Sequence, residues 1–493
     1  MWGTILPIVL ALPFTNAITL HKRDDPAVFG LPIARSERPQ SLQKRSDKVV
    51  STALYNVGNL YYMVNITVGT PAQNLSLSLD IGSSDIWVNV DNSTYCASDE
   101  DFCSSTGVFK LEDSSTFKQL DYDMNMTYAG GDYLAAGPYA TDTLTIGGIT
   151  VKDMEFGLGE ESRNPHGILG IGYGIATYAN AALDKRYSNL PEALVNSGAI
   201  KSNAYSLWLN KYDGTGNLLF GGVNKARYDG ELETVPVLKN NGKYSSLAIA
   251  LTDISVKGTS GNTNYATGLP LAVSLDNGSG FITLPKEVVT PIFKEVGAVY
   301  NSTIGAAFIP CDTTGYNVSF SFSGATITIP VNDLILHYSE DGSPKDCYFG
   351  ISESDPGVNL MGDPFLRGAY VVYDLDNNEI SLANTNTDGG DDDILEIGTG
   401  TAAVPGATLM PSAVTSATGN GVAVAATALP SGSSEPSGTA VEVTVTGTAA
   451  TATATETATG GATTTSSKGL AVPTAKPNHL LPGLLGAGLL LAL

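Results

Sequence analysis

Apolar and polar residues alternate in short bursts along the middle of the chain, from about Val50 to Asn386. The stretches LYYMVNITVG (60–69), NLSLSLDIG (74–82), DTLTIGGITV (142–151), ATITIPV (325–331) and AYVVYDLDNNEISLA (369–383) keep a two-residue period or are rich in β-branched side chains. Both features mark strands that turn one face to a core. In the last stretch Asp376-Asn377-Asn378 falls between two such runs, which predicts a hairpin. Helical spacing is confined to few places, best at NLPEALVNSGAI (189–200) and PKEVVTPIFKEVG (285–297). The pattern predicts a mostly β protein.

One phrase is written twice. Ser78–Trp87 reads SLDIGSSDIW and Ser274–Thr283 reads SLDNGSGFIT. A single Asp-X-Gly-Ser is ordinarily a turn; the repetition asks for more. Gly170, closing Ile168-Leu169-Gly170, lies 90 residues after Asp80, and Gly362, closing Leu360-Met361-Gly362, lies 86 after Asp276. A repeated order at near-equal spacing predicts two related lobes, 46–235 and 236–386, each bringing one aspartate from a strand-end loop to a shared cleft.

Two carboxylates within hydrogen-bond reach cannot both be charged, so Asp80 and Asp276 would share one proton over a range of acidic pH. The charged member takes a proton from a water between them, and the protonated member donates to a scissile carbonyl oxygen. That is general acid–base peptide hydrolysis without an acyl-enzyme. Gly82 and Gly278 would let the backbone turn sharply beside each acid. Ser83 and Ser279 would donate hydroxyl hydrogen bonds to the outer carboxylate oxygens. No cofactor is called for.

Charge and cysteines narrow the field. With 26 Lys+Arg against 49 Asp+Glu the chain is strongly acidic, which argues against nucleic acid as a partner. The four cysteines, Cys96, Cys103, Cys311 and Cys347, form no CxxC pair, and histidine is scarce, so a metal site is not expected. Three connectivities are open; local pairing, Cys96 with Cys103 and Cys311 with Cys347, suits two lobes.

The ends read as addresses. Residues 1–17 are apolar and close on Thr15-Asn16-Ala17, a secretory signal with cleavage after Ala17. Residues 18–45, bearing Lys22-Arg23 and Lys44-Arg45, read as a pro-segment cut after Arg45. From 387 to 467 Ser, Thr, Ala and Gly dominate, the composition of an O-glycosylated stalk. Residues 468–493 end in the apolar run Leu480–Leu493, shorter than the roughly 20 residues of a membrane span and followed by no basic tail. This predicts a GPI-attachment signal, with Ser467 as the acceptor and Ser466 and Gly469 as competitors. Asn65, Asn74, Asn92, Asn125, Asn301 and Asn317 open Asn-X-Ser/Thr sequons and are expected to carry glycans. Asn277 also matches but sits inside the second aspartate motif and is expected to stay bare.

Together these motifs resemble the pepsin-like aspartic proteases over roughly residues 50–386, and within them the fungal GPI-anchored yapsin-type and candidapepsin-type enzymes. SLDIGSSDIWV is similar to that family's first catalytic loop and SLDNGSG stands where the second belongs. MTYAGGDYLAAGPYATDTLTIGG (126–148) resembles its flap hairpin. YSNLPEALVNSGAIKSNAYSLWLN and GNLLFGGVNKARYDGELETVPV continue the likeness. The resemblance implies a bilobal fold with the cleft between the lobes. It makes Tyr128 the flap tyrosine that covers the cleft and Trp87 the tryptophan hydrogen-bonded to it. It implies peptide substrates, with cleavage near basic residues in the yapsin-type relatives. A monomer is expected, tied to the cell surface or wall by its lipid.

The chain departs from the pattern at four places. Ile81 and Asn277 stand where the family has hydroxyl residues that bond across to the opposite loop. Gly280 replaces a hydroxyl residue, and His166 replaces the Asp before Gly-Ile-Leu-Gly. Isoleucine makes no such bond and asparagine only a different one. With both aspartates and both serines kept, an active enzyme with a retuned dyad is expected. The rivals are a pseudoprotease that binds peptides without turnover, and a wall-remodelling glycosidase, which would also use paired carboxylates but has no need of the repeated motif.

Overall fold

A computed structural model describes residues 29–35, 62–97, 100–128, 134–164, 166–211, 214, 216–259, 261–338, 346–354, 357–417 and 424–425. The segments expected to be a signal peptide and a GPI-attachment signal, both dibasic pairs, Ser466, Ser467 and Gly469, and all of the expected stalk beyond Ala417 except Val424–Ala425 lie outside the described residues.

The expected strands form where the alternation placed them. Tyr62–Val68 and Gln73–Asp80 pair antiparallel, with Met63 opposite Ser78. Leu134–Ile146 and Ile149–Gly159 pair across Gly147-Gly148, both in the left-handed region (φ 56° and 80°) that glycine enters without strain. Ala325–Pro330 alternates buried and exposed along its whole length. The 369–383 hairpin closes with Asp374 opposite Glu379; Asn378 takes φ 56°, and Asn377 donates through backbone and side chain to Asp374. Helices occupy Leu190–Asn196 and Lys286–Val296. The second buries Val288, Val289, Ile292, Phe293 and Val296 along one face and stops at Gly297, in the left-handed region at φ 75°.

The halves meet in a common platform. Its strands run in the order Tyr228–Pro236, Glu379–Thr385, Ala369–Asp374, Ala204–Trp208, Gly216–Phe220, Phe29–Arg35. Strands of the first half thus pair with strands of the second, with Tyr205 opposite Tyr373 and Thr234 opposite Ser381. From Phe29–Arg35 the sheet continues through Tyr62–Val68 into the first lobe. The second lobe has its own sheet, ordered Ala248–Leu251, Leu271–Leu275, Leu360–Met361, Ile282–Leu284, Ile351–Glu353. The architecture is the mostly β, bilobal one expected.

Two features depart from expectation. Phe29–Arg35, upstream of Lys44-Arg45, is a strand paired with Gly216–Phe220. The stalk does not begin at 387. Ile394–Glu396 pairs with Gly222–Asn224, and Ala407–Leu409 pairs parallel with Tyr228–Pro236. Ile397, Ala403 and Val404 are buried against Val223, Tyr228 and Tyr370, and Lys201 Nζ reaches Glu396 at 2.7 Å. The Gly/Asp-rich composition of 387–400 hid these apolar anchors, which stand too far apart to show a period.

Candidate active site

Each aspartate sits where a strand ends. Gln73–Asp80 lies parallel to Ile168–Gly170, with Asp80 opposite Gly170; Leu271–Leu275 lies parallel to Leu360–Met361, with Leu275 opposite Met361. Past each loop the chain returns along the other side of the same short strand, as Ile86–Asn89 and Ile282–Leu284. Each apolar-apolar-Gly element is therefore clasped between the two arms of its aspartate loop, which accounts for the paired spacings of 90 and 86 residues. Glycine is required there. A Cβ on Gly170 would stand 2.5 Å from the Asp85 carbonyl oxygen, and one on Gly362 would stand 2.3 Å from those of Ser279 and Phe281.

Both carboxylates are buried, Asp80 at 2% exposure and Asp276 at 0%. Gly82 N–H donates to Asp80 Oδ1 (2.9 Å) and Gly278 N–H to Asp276 Oδ1 (2.8 Å), so the two glycines serve through their amides. Ser83 Oγ donates to Asp80 Oδ2 at 2.5 Å, as expected. Ser279 does not match it. Its hydroxyl turns to the Phe281 carbonyl at 2.9 Å, an acceptor within its own turn, and Asp276 Oδ2 is buried without a partner among the described residues. Burial raises Asp80 to about 6, against the pull of Ser83 and Gly82. Asp276 is raised well above the usual carboxylate range by burial first, then by the Asp80 charge, with Asp363 adding to it. The Gly82 amide of the opposite loop offsets part of that rise. The loops converge.

The flap hairpin is formed by Lys118–Thr127 and Leu134–Ile146, with Met126 opposite Ala135. Tyr128 follows the first of these strands, and its hydroxyl accepts from Trp87 Nε1 at 2.7 Å. The phenol stays protonated, because burial and the nearby Asp80 and Asp85 charges push it well above its ordinary value. The flap tip, 129–133, lies outside the described residues.

Three acids and bases here escaped the sequence reading or changed role. Asp85, fully buried, accepts from Tyr139 OH (2.8 Å), Tyr187 OH (2.7 Å) and Tyr178 N–H (2.7 Å). Its place in SSDIW was the only signal, and its partners stand 54 to 102 residues away. Asp363, in the GDPF run, is also fully buried beside the second loop. His166 is buried and lowered by desolvation to about 4, so it is neutral at higher pH. Both disulfides are local, Cys96–Cys103 and Cys311–Cys347. Among the described residues one grouping has metal-ligand character, Cys311, His337 and Cys347, and its two sulfurs are joined to each other.

Residues 61–385, the span holding both loops and the flap, match the model of eukaryotic aspartyl proteases. The chain belongs to this family. It is 44% identical over 434 residues to the "Probable aspartic-type endopeptidase opsB" of Aspergillus oryzae, covering 85% of this chain and 89% of that protein. It is 35% identical to "Aspartic proteinase yapsin-3" of Saccharomyces cerevisiae (75% and 74% covered) and 37% identical to "Candidapepsin" of Candida tropicalis (69% and 82%). The chain is an aspartic endopeptidase. Beside Gly82 and Ser83 the protease opens a cavity of about 900 Å³, walled by Tyr178–Leu183 of the first lobe and the Asn240–Lys243 turn of the second. Among the described residues Asp184 is the one acid lining it, against Arg186 and Lys243. Among the described residues the net acidity of the chain is not concentrated on this side of the cleft.

Proposed function

We propose that the protease hydrolyses peptide bonds at acidic pH with a water activated by Asp80 and Asp276, outside the cell and held there by a GPI lipid. The observation that carries the chemistry is the pair of buried carboxylates on mirrored loops, both raised by burial and Asp276 further by the Asp80 charge. Their asymmetry supports an assignment of roles. Asp80, with two donors, is the better anion; Asp276, with Oδ2 unpartnered, is the better holder of the shared proton. Asp80 takes a proton from water as its oxygen attacks the scissile carbonyl carbon, and Asp276 gives its proton to the carbonyl oxygen. The tetrahedral diol then collapses. Asp80 passes its proton to the leaving nitrogen and Asp276 recovers one from the diol, so the dyad ends as it began. Tyr128, its hydroxyl held by Trp87 Nε1, covers the bound chain.

The location rests on the sequence of the ends. It is supported by the exposure of Asn65, Asn74, Asn92, Asn125 and Asn301, the half-exposure of Asn317, and the burial of Asn277 at 1%. The test of the chemistry is peptide release from a denatured protein at acidic pH by the wild type, Asp80→Asn and Asp276→Asn. Each single change should abolish turnover, and the double change should cost little more, since the pair acts as a unit. Wild-type activity in Asp276→Asn would refute the dyad. Inhibitor binding without turnover by the wild type would favour the pseudoprotease.

A further inference from the structure

We infer that Asn277 is the positioning residue whose side chain ties the two aspartate loops together, from one loop only. Its Oδ1 accepts from the backbone N–H of Ile81 at 2.9 Å, and its Nδ2 donates to the backbone carbonyl of Leu79 at 3.0 Å. Both bonds are buried and both cross between the lobes, spanning 196 and 198 residues of sequence. The orientation of the carboxamide is fixed by its partners, because an N–H only donates and a carbonyl only accepts.

The two groups it holds stand on either side of Asp80. One planar carboxamide, covalently next to Asp276, therefore grips the peptide units that flank the opposite carboxylate. The chain from Asp276 through Asn277 to Leu79 and Ile81 sets how far apart the two acids lie. No return bond comes from Ile81, whose side chain is 1% exposed in the same apolar cluster as Leu79 and Ile171 and has no polar atom. In the arrangement that the family resemblance implies, hydroxyls on both loops share this work. Here a longer side chain that is both donor and acceptor does it from one loop, and the other loop gives its side chain to the core. The second break in the sequence pattern thus compensates the first.

The inference rests on the dyad reading for its kinetic consequences, and its test carries one readout that does not. Asn277→Leu keeps the shape and removes both bonds. It should lower kcat about 100-fold, the scale of a small misplacement of reacting groups. It should also narrow the pH–rate profile from both sides, since carboxylates no longer held together split each other's titration less. Ile81→Thr/Asn277→Thr, which supplies a hydroxyl on each loop, should recover both amplitude and width. Independently of activity, hydrogen exchange at the Ile81 amide should be slow in the wild type and selectively faster in Asn277→Leu. Wild-type kcat in Asn277→Leu, a lower kcat with an unmoved profile, or an unchanged Ile81 exchange rate would overturn the inference. An inactive wild type whose Ile81 protection still depends on Asn277 would sink the peptidase reading and leave the clamp standing.

Discussion

Replacing Asp80 with Asn should make the folded chain more stable at neutral pH while destroying its activity. Burial raises this carboxyl from 3.8 to about 6. Between those values the folded chain keeps a proton that the unfolded chain has released. Stability is therefore fully present below 3.8, falls as pH climbs through the window, and the deficit is complete above about 6. A shift of about two units corresponds to about 3 kcal/mol, shared with Asp276 because the two titrate together. Asparagine keeps the shape and carries no charge, and the Ser83 hydroxyl can turn to accept from its amide. With an unfolding entropy of about 2.1 cal/mol/K per residue over the roughly 350 residues of the folded body, 3 kcal/mol amounts to about 4 °C in Tm. Calorimetry at about pH 7.5 and about pH 3.5 should show the gain at the first and almost none at the second. Asp276→Asn should move the same way, its carboxyl being raised further and its Oδ2 having no bond to lose. An equal gain at both pH values, or none at neutral pH, would show that burial of the dyad charge is not what weakens the neutral enzyme.

Tyr128→Phe removes the oxygen that accepts from Trp87 Nε1, a loss of about 1 kcal/mol, and should lower kcat/KM on a peptide substrate by about tenfold at most; no change would separate the tyrosine from catalysis. Reducing the Cys311–Cys347 link, which closes 36 residues, should cost about 4 kcal/mol in urea unfolding, and removing the 7-residue Cys96–Cys103 link about 2 kcal/mol; the reverse order would contradict the loop-entropy account. Deleting Leu480–Leu493, or treating cells with phosphatidylinositol-specific phospholipase, should release the enzyme to the medium; a truncated chain that stays on the membrane would count against the lipid anchor.

What the sequence disclosed was local and repeated. Asp80 and Asp276 were legible because each carries its Gly-Ser context beside it, and the clasped strands because their order recurs at similar distance. The alternation in Ala325–Pro330 gave a strand with the burial it promised. What stayed hidden depends on contacts between distant segments. Asp85 looks like any loop acid until Tyr139 and Tyr187 arrive from elsewhere in the chain. Asn277 looked like a defect because its two backbone partners belong to the other lobe. Ser279 was misassigned because a hydroxyl takes whichever acceptor its rotamer reaches, and the Phe281 carbonyl is in reach. Residues 387–417 passed for stalk because Ile397, Ala403 and Val404 are too few to outweigh the polar residues among them, although they pack into a core.

The shared platform imposes an order on assembly. Ala369–Asp374, Glu379–Thr385 and Ala407–Leu409 are made late, so Ala204–Trp208 and Tyr228–Pro236 wait on the emerging chain without the neighbours that complete their pairing. Phe29–Arg35 need not wait. Its partners, Tyr62–Val68 and Gly216–Phe220, both belong to the first half, so it can cover that side of Gly216–Phe220 long before the second half is synthesised. An open strand edge is a template for pairing with another chain, and this strand shields one during the interval when the molecule is most exposed to it. A cut after Arg45 would break one covalent bond and none of these main-chain contacts. Severing the segment and losing it are therefore separate events, and only the second bares the edge.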